Sequence, residues 1–131
     1  MSAGVLDTSV FIATESGRPL RHDLLPEEGY VTVITMAELE AGVLAAQTTD
    51  ARAARLRTVQ ALADVDQLEV DANAAHEWAR LRFKLAEAHR KVNVNDLWIA
   101  AVAAARQLPV VTQDGDFDAI AEVGGPRVIR L

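Results

Sequence analysis

The chain has 131 residues and a formal net charge of −6, and half of its residues are hydrophobic. This composition suits one globular domain, residues 1–131, with a substantial core, and excludes disorder. The acidic balance argues against simple electrostatic attachment to nucleic acid or to an anionic membrane.

Cysteine is absent, which excludes disulfides, thiolate chemistry and zinc sites built on Cys. No apolar run approaches the roughly 20 residues needed to span a bilayer, so no membrane association is expected. Met1-Ser2-Ala3-Gly4 carries no basic residue ahead of an apolar stretch. No signal peptide is expected, and the location expected is the cytoplasm.

Val5-Leu6 is expected as a strand ending at Asp7, with a short helix from Thr8 to about Glu15. Gly17-Arg18-Pro19 breaks that helix, and a second short one is expected over residues 20–25, before Pro26. Residues 30–34 are β-branched and aromatic, a second strand. Thr35-Met36-Ala37-Glu38 has the spacing of a capping box and opens a helix to about residue 46. Asp50 is expected to cap the next helix, to about residue 63, and residues 68–70 form a short strand.

A long helix over about 72–89 places Trp78, Leu81 and Leu85 at helical spacing. Asn93 or Asn95 caps a helix over 97–107 whose Leu97, Ala100, Ala101 and Ala104 share a face. A strand at 109–111, a helical turn at 117–121 and a strand at 128–129 complete the chain. Strands alternating with helices imply an α/β fold, with a short, mostly parallel central sheet flanked by helices on both faces. Ligands bind such sheets beyond the C-terminal strand ends.

Taken singly, each acid has a structural explanation. Asp7 suits a helix N-cap as well as a ligand position. Glu38 suits the third position of a capping box. Asp96 lies in a first helical turn, where a carboxylate complements the macrodipole. Asp114, Asp116 and Asp118 fall in a turn-rich segment, and Asp118 is assigned to the turn alone. Glu40 is roughly 200° around the helix from Glu38, so the two cannot face one site. Together, however, Asp7, Glu38, Asp96, Asp114 and Asp116 all sit at strand ends or helix starts, which converge on one edge of a parallel sheet. Carboxylates without His or Cys favour hard cations, Mg²⁺ or Mn²⁺. Such a site suits phosphodiester hydrolysis, in which a metal activates water and stabilises a leaving oxygen.

Four segments carry a family resemblance. Val5-Leu6-Asp7-Thr8-Ser9-Val10-Phe11-Ile12 resembles the opening motif of PIN domains, and Ile34-Thr35-Met36-Ala37-Glu38-Leu39-Glu40-Ala41-Gly42 their second. Asn95-Asp96-Leu97-Trp98-Ile99-Ala100-Ala101 resembles the third motif, and Val111-Thr112-Gln113-Asp114-Gly115-Asp116-Phe117 the fourth. Their order and spacing are similar to VapC toxins over essentially the whole chain. The resemblance implies a dimeric endoribonuclease needing Mg²⁺ or Mn²⁺, the toxin of a toxin–antitoxin pair, inhibited by a VapB-type antitoxin. It implies that Asp7, Glu38, Asp96 and Asp114 are the acidic quartet and Asp116 a further acid. Thr8, Ser9 and Thr112 would be hydroxyls that orient them. Many members carry a Gly before the third motif, where this chain has His89-Arg90-Lys91.

Arg82, Arg90 and Lys91 lie just ahead of Asp96 and are candidates for phosphate contact, against a solvated helix face as the plain alternative. Arg52, Arg55 and Arg57 are expected as ordinary surface charges, and Trp78 and Trp98 as core or dimer contacts. Phe11, Ile12, Leu39 and Val43 are expected to supply apolar surface for a homodimer. A phosphoacceptor receiver domain would need a Lys after a late strand, and none follows Lys91. A dehalogenase-type phosphatase would need Asp where Ser9 stands. A catalytically inactive binding module is the remaining alternative, but it gives no reason for all five acids.

Overall fold

The structure is a computed structural model that describes residues 2–131. Its strands are β1 (Ala3–Leu6), β2 (Glu28–Thr32), β3 (Gln67–Leu68), β4 (Val110–Thr112) and β5 (Val128–Arg130). Its α-helices are α1 (Thr8–Glu15), α2 (Val33–Ala45), α3 (Thr49–Ala61), α4 (Ala72–Glu87), α5 (Val94–Ala105) and α6 (Asp118–Glu122). The strand order is β3-β2-β1-β4-β5, and every pairing is parallel. Connections from β1 lead outward in one direction through β2 and β3, and later in the other through β4 and β5. The order therefore reverses between β1 and β4, the switch point at which parallel α/β sheets form crevices.

Helix α5 anchors the core. Ile99, Ala100, Ala101, Val102 and Ala103 are all fully buried, and the alanines let neighbouring elements approach closely. Leu81 and Leu85 of α4, Val5 and Val110 of the sheet, and Phe117 and Ile120 of the last helical segment pack into the same cluster. This core fixes β1, β4 and the start of α5 relative to one another.

Several element boundaries differ from expectation. Strand β2 ends at Thr32, whose hydroxyl accepts from the Thr35 N–H and caps α2. Thr35 is thus inside the helix, fully buried, and Glu38 lies one turn further along rather than in a capping box. β3 stops at Leu68 because its partner β2 ends at Thr32, leaving residues 69 and 70 nothing to pair with. Thr48, not Asp50, caps α3. The helix expected over 20–25 is only a 3-10 turn at His22–Leu24, in a segment bounded by Pro19 and Pro26.

His89 has φ 53, a left-handed conformation. Its N–H reaches the Ala86 carbonyl, and the Arg90 N–H reaches that of Leu85, closing α4 in a Schellman arrangement. The left-handed conformation that glycine would supply is therefore adopted by histidine.

Candidate active site at the sheet switch point

Asp7 leaves the end of β1 and caps α1, so it is both a helix cap and a member of the acidic group. Its side chain is 4% exposed. Its Oδ2 accepts from the Ser9 N–H at 3.3 Å and from the Thr112 hydroxyl at 3.0 Å. Ser9 Oγ lies 3.1 Å from Thr112 Oγ1 and accepts from the Gln113 N–H at 3.0 Å. A consistent donor relay thus runs from the Gln113 amide through Ser9 and Thr112 to Asp7. The relay ties α1 to the end of β4 across the switch point.

Glu38 comes from the second turn of α2. The Thr8 hydroxyl lies 2.7 Å from Glu38 Oε1 and 3.0 Å from the Thr35 hydroxyl. Thr8 has a single proton, directed at Glu38 Oε1 over the shorter distance, with Thr35 Oγ1 as a second acceptor within reach. Asn95 Nδ2 donates to Glu38 Oε2 at 3.4 Å. Both oxygens are therefore held, one from α1 and one from α5. Thr35 and Asn95 contact members of this group, a placement that the sequence reading did not give them. Asn95 sat in view beside Asp96, but nothing local tied it to a residue 57 positions away.

Asn93 caps α5, accepting from the Asn95 and Asp96 N–H groups at 2.8 and 3.3 Å. Asp96 is thereby set in the first turn and faces the other acids. Burial pushes its carboxyl up to about 7, and repulsion from Asp7, Asp116, Glu38 and Asp114 adds to the rise. Burial also raises Asp7, against the opposing pull of its Ser9 and Thr112 hydrogen bonds. Asp114 follows β4, and its Oδ1 accepts from the Asp116 N–H at 3.1 Å, so the turn itself aligns these two acids. Asp116 is exposed at the lip.

All five expected acids thus share one edge, and Thr8, Ser9 and Thr112 bond directly to members of the group or to one another. Among the described residues no three carboxylates approach closely enough to cage a single ion. Mg²⁺ needs no such cage, because it keeps several waters and takes one or two protein carboxylates. An all-oxygen donor set in which burial pushes both Asp7 and Asp96 up fits a hard divalent cation.

Comparison with known families matches residues 4–123 to the PIN domain. The chain belongs to the PIN-domain family. Over 130 residues this PIN domain is 59% identical to Ribonuclease VapC5 of Mycobacterium tuberculosis, covering 99% of the chain and 96% of the relative. It is 40% identical to Ribonuclease VapC4 of the same organism, over 89% of the chain and 90% of that relative. It superposes on the crystal structure of the VapBC-5 toxin–antitoxin system of M. tuberculosis with a TM-score of 0.92 and 55% identity, covering all of both chains. A DNA-bound VapBC of Salmonella typhimurium gives a TM-score of 0.80 at 27% identity, over 99% and 98% of the two chains. Nucleases of the PIN family depend on metal ions in general.

The basic residues of the PIN domain divide. Arg52 and Arg55 are not free surface charges: they donate to the Val43, Ala46 and Gly42 carbonyls and close the C-terminus of α2. Arg90 pairs with Glu122 at 2.8 Å. Arg82 lies over the Trp78 ring at 5.4 Å, and Trp78 stacks on Trp98 with centroids 4.9 Å apart. The apolar residues expected to form a dimer face differ in exposure, Phe11 and Val43 being partly buried. Leu39 is buried, and Phe11 packs against it with Val31 and Met36. Of that group Ile12 alone is well exposed, at 44%, whereas Leu44 at 83% and Phe83 at 60% were not singled out. The described residues contain no helix long and apolar enough to cross a membrane.

Proposed function

We propose that this chain is the toxin of a VapBC-type pair, a cytoplasmic endoribonuclease that hydrolyses phosphodiester bonds of cellular RNA with Mg²⁺ or Mn²⁺. The observation that carries the reading is the gathering of Asp7, Glu38, Asp96, Asp114 and Asp116 at the switch point, with Asp96 pushed up to about 7. Like charges collected at such a cost suit a counter-ion. The family and the VapC relatives support the same chemistry. A receiver-type phosphoacceptor lacks support, because no Lys follows Lys91.

Asp7, Asp96, Asp114 and Asp116 are the residues we assign to the metal site, one or two of them as direct ligands and the others through the water that Mg²⁺ retains. When bound, the cation supplies a Lewis acid for the scissile phosphate and lowers the pKa of the attacking water. Thr112 and Ser9 orient the Asp7 carboxylate and oppose the rise that burial imposes on its pKa. Glu38, clamped by Thr8 and Asn95, accepts a proton from water on the α2 side. Arg82 and Lys91 have no carboxylate partner among the described residues, and Arg90 has Glu122; the three form a cationic rim for RNA phosphates.

The VapBC complexes among the structural neighbours support a VapB-type antitoxin as protein partner. Ile12, Leu44 and Leu56, exposed on α1, α2 and α3, leave apolar surface for protein partners. A symmetric homodimer is the assembly we assign to the free chain. The deciding experiment is RNA cleavage by purified protein with EDTA and then with added Mg²⁺ or Mn²⁺. Loss and restoration support the reading; full cleavage in EDTA by contaminant-free protein overturns it.

A further inference from the structure

A groove of about 930 Å³ runs beside α4 and the loop to α5, walled by Trp78, Arg82, Phe83, Arg90, Lys91 and Val94. A smaller cleft of about 340 Å³ contains Asp96 and Asp116. Arg90, Lys91 and Val92 line both, so the groove opens directly onto the acidic site. In a chain of net charge −6, no Asp or Glu lines this groove. Phe83 is 60% exposed on its wall and Val94 56%, large apolar surfaces left in water beside cationic side chains.

We propose that this groove holds an unpaired stretch of the RNA being cut, with one nucleobase stacked on Phe83 and the adjoining phosphates along Arg82 and Lys91. This rests on the nuclease reading and deepens it. The pairing of features is what single-stranded nucleic acid needs. An aromatic face accepts any base, and cations follow the backbone. A duplex would keep its bases stacked on one another and offer Phe83 nothing. Charge complementarity and continuity with the acids favour RNA here over a second copy of the chain. Phe83 would then act on which RNA is held, without touching the reacting phosphate.

The test measures binding and cleavage separately. The binding probe is a fluorescent, uncleavable 2′-O-methyl oligoadenylate, compared with an abasic chain of the same length. Wild type is expected to prefer the base-bearing chain by about 5- to 150-fold, the size of one base–aromatic stack. Phe83→Ala should lose most of that preference and keep its salt dependence, while Phe83→Tyr keeps both. Lys91→Ala should keep the preference but lower the salt slope by about one. Base preference unchanged in Phe83→Ala overturns the proposal. So does a Phe83→Ala protein that turns from dimer to monomer in sedimentation while binding RNA normally, because a second copy then covers this face. Base-dependent binding through Phe83 with no cleavage of any RNA would leave the groove standing and remove the nuclease reading instead.

Discussion

The Thr112 hydroxyl donates to Asp7 Oδ2 at 3.0 Å, joining the end of β4 to the end of β1 across 105 positions. It is the last link of the relay that begins at the Gln113 amide. Thr112→Val preserves shape and removes that donor from a nearly buried carboxylate. The expected cost is about 1–3 kcal/mol of stability, together with a further rise in the Asp7 pKa, since the Thr112 bond lowers it. Chemical denaturation and an NMR titration of Asp7 check both. An unchanged titration would mean the relay does not tune Asp7.

Asp96 makes a pH dependence with a definite sign. Its folded pKa of about 7 lies above the ordinary 3.8. Between those values the folded protein holds a proton that the unfolded chain has released, so metal-free stability falls as pH rises through that window. The ceiling on this loss is roughly 4 kcal/mol. Asp96→Asn should flatten the fall, melt at or above the wild-type temperature near pH 8 without metal, and abolish toxicity in a growth assay. A variant that folds and stays toxic takes Asp96 out of the site.

Divalent metal should reverse that penalty. A cation bound by the folded state alone adds stability according to its concentration over its Kd. Melting curves with and without Mg²⁺ should show a rise in wild type that vanishes in the Asp7→Asn plus Asp96→Asn double variant. A rise of equal size in both proteins would place the cation elsewhere.

Gln107 closes α5 with φ 58, a left-handed conformation that costs a side-chain-bearing residue about 1–2 kcal/mol. Glycine removes that cost and gives back part of it through a freer unfolded chain. Gln107→Gly should therefore stabilise by about 0.5–1 kcal/mol in urea denaturation, with cleavage unchanged. Destabilisation would show that the Gln107 side chain contributes more than its backbone strain takes away.

Much of the candidate site was readable because its acids sit where local patterns change. Asp7 and Asp114 follow short apolar strand segments, and Asp96 follows a capping Asn, so each could be placed at an element end before any contact was known. The capping-box reading of Glu38 does not hold, because Thr32 and not Thr35 caps α2. Thr32 and Thr35 are both competent caps, and the choice between them depends on where β2 stops pairing with its neighbours. Arg52 and Arg55 look like surface charges in sequence, because the carbonyls they bind belong to a different helix.

The sequence by itself determined the alternation of strands and helices, the absence of cysteine ligands and the all-oxygen character of the candidate site, since periodicity and residue type are local properties. Tertiary structure alone decided the rest. Parallel pairing in the order β3-β2-β1-β4-β5 brings Asp7 and Asp114 to one edge. Packing of α5 against that sheet brings Asp96 into range of four other carboxylates. Burial and charge repulsion depend on distance in space, and residues 89 positions apart acquire a distance only when the core closes.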